Sequence, residues 1–292
     1  MEYGNQLNQY DLTATPEAVE KVLVRARELA PRNETADVYK LCYGCIDLTS
    51  LGCTDSDARI GAWVRKAMEF GRHFSGIPNV ASICVYPNFV EVVGLAVGDG
   101  NMAITSVSGG FPSSQTFLEV KMLETAMAVE NGADEIDIVI SVGEFLSGEY
   151  DRMANEIEML KNEVGPDTVL KVILETGELK SPELIRKASL LAMIAGADFI
   201  KTSTGKVAVS ATPEAAVVMC EAIRDYHAKT GRKVGFKAAG GVRTASEAVL
   251  YYTIVETVLG KEWLTPFLFR IGASSLANDL LGAIEGHPVK YF

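Results

Sequence analysis

Along this chain, short apolar runs rich in β-branched residues alternate with longer stretches in which apolar positions recur at helical spacing. From Val38 onward the runs read as strands: VYKLCYGCIDL (38–48), ASICVYP (81–87), MAITSVSG (102–109), EIDIVIS (135–141), LKVILET (170–176), DFIKTST (198–204), VGFKAAG (234–240) and LFRIGAS (268–274). Between them the spacing predicts helices over 54–73, 115–131, 151–164, 182–195, 213–229 and 244–259. Thr54, Ser181 and Thr212-Pro213 are the expected helix starts. Residues 1–35 form an N-terminal helical extension in this reading. There Thr15-Pro16 supplies cap and first-turn proline, and Val19, Val22, Leu23 and Ala26 follow at helical spacing. The extension is expected to cover one end of the core.

Alternating strands and helices imply a parallel sheet with crossover helices. Eight such units predict closure into a (β/α)8 TIM barrel, an α/β fold. An open doubly wound sheet is the alternative. It would call for GxGxxG after the first strand, and the sequence has none there. With no linker rich in Pro, Gly or Ser, residues 1–292 read as a single barrel domain.

Composition narrows the function classes. Hydrophobic residues are 48% of the chain and charged residues 22%, as in ordinary globular proteins. Lys and Arg number 27 against 38 Asp and Glu, a net charge of −11. That balance argues against a nucleic-acid partner, which wants a basic face, and leaves room for a small phosphorylated ligand in a local positive pocket. There is no apolar run long enough to span a membrane, and MEYGNQLNQYDL lacks a secretory pattern. The expected location is cytoplasmic, with the five cysteines reduced. Cys42-Tyr-Gly-Cys45 has redox or zinc spacing. There is no second CxxC, however, and His73, His227 and His287 have no ligand-like spacing, so no metal is expected.

The chemistry of such a barrel sits at the C-terminal ends of its strands. Polar residues inside the strand candidates are therefore informative: Asp47, Asp137, Lys171, Lys201 and Lys237. Each lysine alone is better explained by a snorkelling side chain or a structural ion pair. Together they differ, because buried lysines near one another cannot all stay protonated cheaply. A neutral amine attacks carbonyl carbon. Schiff-base chemistry needs one lysine to attack, a second to depress its pKa, and a carboxylate to move protons. The protonated imine is itself the electron sink, so no metal or organic cofactor is required. Three small-residue loops follow the last three strands: Gly205-Lys206 in TSTGK; Gly240, Gly241 and Arg243 in AAGGVRT; Gly272, Ser274 and Ser275 in RIGASS. Loops at this end of a barrel bind phosphate through backbone N–H groups. TSTGK is not a Walker A loop, since Val207 follows Lys206.

These motifs resemble the deoxyribose-phosphate aldolase family of class I aldolases. The likeness is carried by CIDLTSL, ASICVYP, SVSGGFP, ENGADEIDIVIS, LKVILETGELK, AGADFIKTSTGKVAVSATPE, VGFKAAGGVRTASEA and RIGASSL, in order, from about Asp47 to Leu281. The resemblance implies a TIM barrel that reversibly cleaves 2-deoxy-D-ribose 5-phosphate into acetaldehyde and D-glyceraldehyde 3-phosphate. It makes Lys201 the Schiff-base lysine, Lys237 the second lysine and Asp137 the proton relay. Gly205, Lys206, Gly241, Arg243, Ser274 and Ser275 match its phosphate-binding positions, with Gly240 and Gly272 beside them. Supporting parts are expected for Lys171, Asp47, Cys84 and Thr204. Members are commonly dimers or tetramers, so a homodimer or homotetramer is expected.

The sequence departs from the family pattern twice. Ala238 stands where many members have proline, which is expected to change loop stiffness more than chemistry. The chain ends Tyr291-Phe292 in a context unlike the tyrosine tail of some members, so Tyr291 is assigned no proton transfer. Two rival readings stay open here. A transaldolase-like or hexose-phosphate aldolase would share the imine and differ in its carbonyl donor. A non-catalytic sugar-phosphate sensor would bind ligand without forming one.

Overall fold

In the computed structural model, which describes residues 2–292, eight parallel strands pair in chain order and the last closes on the first. They are β1 (Ile46–Thr49), β2 (Ser82–Val85), β3 (Ala103–Val107), β4 (Glu135–Val139), β5 (Val169–Ile173), β6 (Phe199–Lys201), β7 (Gly235–Ala239) and β8 (Phe269–Ala273). This is the closed (β/α)8 barrel expected of the alternation, not the open sheet.

Helices cover the barrel. Ahead of β1 lie α1 (Glu2–Leu7), α2 (Pro16–Asn33) and α3 (Ala36–Gly44). The crossovers follow in turn: α4 (Asp57–Met68) with α5 (Phe70–His73), then α6 (Val90–Val97), α7 (Leu118–Glu130), and α8 (Val142–Leu146) with α9 (Tyr150–Val164). Next come α10 (Thr176–Leu179) with α11 (Pro182–Ile194), α12 (Pro213–Thr230), α13 (Ala245–Leu259) and, after β8, α14 (Leu276–Glu285). Thr15, Ser181 and Thr212 each accept a backbone N–H at the start of α2, α11 and α12, and a proline follows each of them.

The register sorts the strand residues into two sets. Successive side chains on a strand point to opposite faces. Pairings such as Asp137↔Lys171, Lys201↔Lys237 and Lys237↔Arg270 run the charged residues round one face, the barrel interior. The alternate residues, among them Leu48, Ile83, Ile136, Ile138, Val172, Ile200, Phe236 and Ile271, join the buried apolar cluster between sheet and helices. Most of the hydrophobic stabilisation therefore lies outside the sheet, where apolar burial contributes about 25 cal/mol per Å². Inside, the charged residues share the space with buried Val107, Val139, Ile173 and Phe199, which lie on the same inward face. Ala238 belongs to the outward set: it lies within β7, fully buried and paired with Ile271. The expected effect on loop stiffness is thus corrected, because this residue is in a strand and faces the helices.

Three local expectations also differ. Residues 38–44 are helical and only Ile46–Thr49 form the first strand. Thr35 caps that helix at the Val38 N–H, and Val38, Leu41 and Cys42 sit on one face, so capping and spacing override the β-rich composition. The helix after β1 is capped by Ser56, not Thr54. The helices α6 and α14 were not anticipated. VEVVGLAV is apolar nearly throughout and so carries no amphipathic period.

Among the described residues no helix is long and apolar enough to cross a membrane. The C-terminal tail lies back along α14. Asn278 accepts from the Tyr291 and Phe292 N–H groups at 2.7 and 2.9 Å, and the Tyr291 hydroxyl donates to the Lys66 carbonyl.

Candidate active site

Strand alternation alone brings the charged residues together. Lys171 is inward because Asp137, its register partner, is inward; Lys201 and Lys237 pair in the same way. Asp137 is fully buried and stands at the centre. Its Oδ2 accepts from Lys201 Nζ and from Lys237 Nζ, both at 2.7 Å, while its Oδ1 accepts from Lys171 Nζ at 3.0 Å. Asp47 lies 2.5 Å from Lys237 Nζ and 3.7 Å from Lys171 Nζ.

Two residues of the network carried no assignment from the sequence. Arg270 reaches Asp47 at 2.5 Å and Glu135 at 2.6 Å, and its Nε donates to the Pro266 carbonyl. Glu135 also meets Lys171 at 2.5 Å and accepts from the Thr105 hydroxyl at 2.7 Å. The signal was present: Glu135 is two residues before Asp137, and Arg270 aligns with Lys237, so both share the inward face.

The linked groups are four cations (Lys171, Lys201, Lys237 and Arg270) and three carboxylates (Asp47, Glu135 and Asp137). Fully ionised, they would leave one positive charge in excess inside the barrel. An unpaired buried charge is costly, and a group changes its protonation state to avoid it. Lys201 is the amine with the least support, since Asp137 is its only carboxylate partner among the described residues. Burial lowers its pKa, Lys237 lowers it further, and Asp137 opposes without prevailing. Lys237 goes the other way. Burial would lower it, but Asp137 and Asp47 outweigh the desolvation and hold it protonated. Lys171 is likewise raised: burial alone would lower it, and Asp137 and Glu135 prevail. Burial works against the charged forms of Asp137, Asp47 and Glu135, yet their cationic neighbours keep all three carboxyls below the ordinary range.

Above Lys201 opens a cavity of about 280 Å³. Its lining includes Lys201 and Thr204 together with the three small-residue loops: Gly205 and Lys206; Gly240, Gly241 and Arg243; Gly272, Ser274 and Ser275. Lys206 Nζ donates to the Leu51 carbonyl at 2.6 Å, which holds the side chain across the mouth. Cys84 is fully buried, and desolvation raises its thiol pKa. It lies inside the barrel, since its register partner Thr105 bonds to Glu135. Tyr291 does not line this cavity. Its ring packs edge-on against Phe74 beside α4 and α5. Cys42 and Cys45 are free and buried, with both thiols pushed up by desolvation, Cys45 to about 12. An inert pair of that kind fits core packing.

Glu175, which also had no assignment, follows β5 in a left-handed backbone conformation and is buried. Burial raises its carboxyl pKa against the opposing hydrogen bonds from Thr204.

The arrangement combines a depressed-pKa amine, a fixed cation, a shared carboxylate and an anion-sized cavity beside them. Residues 21–281 match the model of the DeoC/LacD family of aldolases. A deoxyribose-phosphate aldolase of Homo sapiens is 43% identical over 282 residues, covering 91% of this chain and 88% of the human one. Its counterpart from Agrobacterium fabrum is 41% identical over 252 residues, 86% of this chain and 93% of its own. Among solved structures, a tetrameric deoxyribose phosphate aldolase from Aeropyrum pernix superposes with a TM-score of 0.67 at 24% identity, covering 89% of this chain and 96% of that one.

Proposed function

Since the chain belongs to the DeoC/LacD family of aldolases, we propose that it cleaves 2-deoxy-D-ribose 5-phosphate reversibly into acetaldehyde and D-glyceraldehyde 3-phosphate, through an imine on Lys201. The observation that carries this is the charge count inside the barrel. One cation too many, with Lys201 the least supported, favours a neutral amine at the floor of a cavity.

In the cleavage direction the Lys201 Nζ lone pair adds to C1 of the open-chain aldehyde. The carbinolamine then takes up a proton and loses water, leaving a protonated imine. Asp137, which lies 2.7 Å from Lys201 Nζ, takes the C3 hydroxyl proton, directly or through a water. The C2–C3 bond breaks, its electron pair enters the imine as an enamine, and glyceraldehyde 3-phosphate leaves. Protonation of the enamine carbon gives the acetaldehyde imine, and its hydrolysis restores the amine. Lys237 keeps its proton and holds Asp137 ionised between exchanges. Positioned proton transfer of this kind contributes about 10²–10⁴-fold.

The phosphate sits among Lys206, Arg243 and the backbone N–H groups of Gly205, Gly240, Gly241, Ser274 and Ser275. It is remote from the broken bond, so its binding energy orients the sugar. Lys171, Asp47, Glu135 and Arg270 set the charge balance. Cys84 packs beside them.

The enzyme works in the cytoplasm as a homodimer or homotetramer. The solved Aeropyrum relative is tetrameric. On α7, Val120, Leu123 and Met127 form an exposed apolar stripe continued by Phe117, which suits burial against a second copy.

The test is acetaldehyde release from deoxyribose 5-phosphate, paired with borohydride reduction in acetaldehyde. A reduced two-carbon adduct on Lys201, lost in Lys201→Met, is the expected result. An adduct on Lys237 or Lys171 instead would move the nucleophile, and none at all would favour a sugar-phosphate sensor.

A further inference from the structure

The loop after β6 carries Gly205 and Lys206 into the phosphate cavity. Part of what holds its backbone lies behind the cavity. Glu175 has φ 53° and ψ 56°, a left-handed conformation that L-residues with a side chain adopt at a cost. Its side chain is buried and does not line the cavity. Both carboxylate oxygens are spent on one residue: Oε2 accepts from the Thr204 hydroxyl at 2.6 Å and Oε1 from the Thr204 N–H at 3.2 Å. The same Thr204 hydroxyl accepts from the Lys206 N–H at 3.0 Å. A carboxylate just past the end of the neighbouring strand β5 thus orients the backbone of the residue that reaches for the anion.

The backbone around Glu175 supports the same loop. The Thr176 N–H donates to the Thr202 carbonyl at 3.0 Å. Gly177 lies so close to the loop that a methyl group there would collide with the Val209 carbonyl oxygen. From the other side, a methyl on Gly240 would come within 2.7 Å of the Ser210 side chain. The segment from Thr204 to Ser210 is therefore held between the Glu175–Gly177 turn and the Gly240 turn.

We infer that Glu175 is a positioning residue for the substrate's phosphate: its carboxylate, fixed by the strained turn and acting through Thr204, sets the loop whose Gly205 and Lys206 meet the anion, and so contributes to the preference for phosphorylated over unphosphorylated sugar. This rests on the aldolase reading above. It touches neither substrate nor the reacting amine, and the strain is retained because glycine in its place would lose the carboxylate.

The experiment compares kcat/KM for deoxyribose 5-phosphate and for deoxyribose in the wild type, Glu175→Gly and Glu175→Gln. Glycine accepts the left-handed backbone freely, so Glu175→Gly removes the carboxylate without adding strain. Its loss on the phosphorylated sugar should exceed its loss on the free sugar at least tenfold, mainly through KM. Glu175→Gln keeps one acceptor for the Thr204 N–H and should lie between. Gly177→Ala, which leaves the carboxylate in place, should show the same selectivity of loss. Equal losses on both sugars, or no loss on either, would overturn the inference while leaving the aldolase reading intact. A wild type that cleaves both sugars equally well would instead overturn the phosphate site itself, and this inference with it.

Discussion

At the scale of single residues, Lys201 and Lys237 are chemically identical and pair in register on adjacent strands, yet they are driven in opposite directions. The difference is partners: Lys237 meets two carboxylates and Lys201 one. A pH dependence follows. With Lys201 as the proposed nucleophile, activity requires its unprotonated amine, so it should rise with pH through that depressed pKa and level off above it. Lys237→Met removes the excess positive charge, and cations then equal carboxylates. Lys201 will keep its proton, the acid limb of the pH–rate profile will move to higher pH, and turnover at neutral pH will fall by about 10²-fold, the scale of a lost acid–base contribution. Stopped-assay rates across pH check this. An unmoved acid limb would show that Lys237 does not tune the nucleophile.

At the scale of elements, motifs were more legible than boundaries. Six helix starts, at Thr15, Thr35, Ser56, Ser181, Thr212 and Thr244, use a hydroxyl on the backbone. Three of those starts, at Thr15, Ser181 and Thr212, could be read from the chain because a proline follows. The segment 38–44 could not, since valine and the tyrosines favour strands while the cap at Thr35 lies before the window that looked strand-like. At α13 the cap is reciprocal. Thr244 Oγ1 accepts from the Glu247 N–H at 3.2 Å, and Glu247 Oε2 accepts from the Thr244 and Arg243 N–H groups at 3.0 and 2.8 Å. Thr244→Ala should cost about 1 kcal/mol, the usual worth of a cap. For a chain of this size that is a fall of about 2 °C in Tm, measurable by calorimetry. A loss confined to stability, with KM unchanged, will show that the cap supports α13 and not the neighbouring Arg243.

At the scale of the whole molecule, the exposed stripe on α7 and the net charge of −11 pull against each other: apolar area favours association and like charge resists it. With Leu123 at 62% exposure and Phe117 at 78%, association is the expected outcome. Sedimentation should give a mass that is a multiple of 31.5 kDa. Leu123→Asp should lower it to the single chain. A monomer in the wild type, or no change in the variant, would remove α7 from the interface.

The sequence by itself determined the alternation of strand and helix, the parallel sheet, and the short list of charged strand residues, because hydrophobic periodicity and side-chain chemistry are local properties. It also held the three small-residue loops that line the cavity beside Lys201, since glycine and serine mark a backbone open to close approach. What only the tertiary structure decided was which face each strand turns inward. Closure of the barrel sets that register at once for all eight strands. It drew Glu135 and Arg270 into the network and placed Ala238 outside it. It also placed Glu175 behind the loop that follows β6. The physical reason is that a side chain's pKa and role depend on the charges within a few ångströms of it, and in a barrel those charges come from residues as much as 223 positions away in the chain.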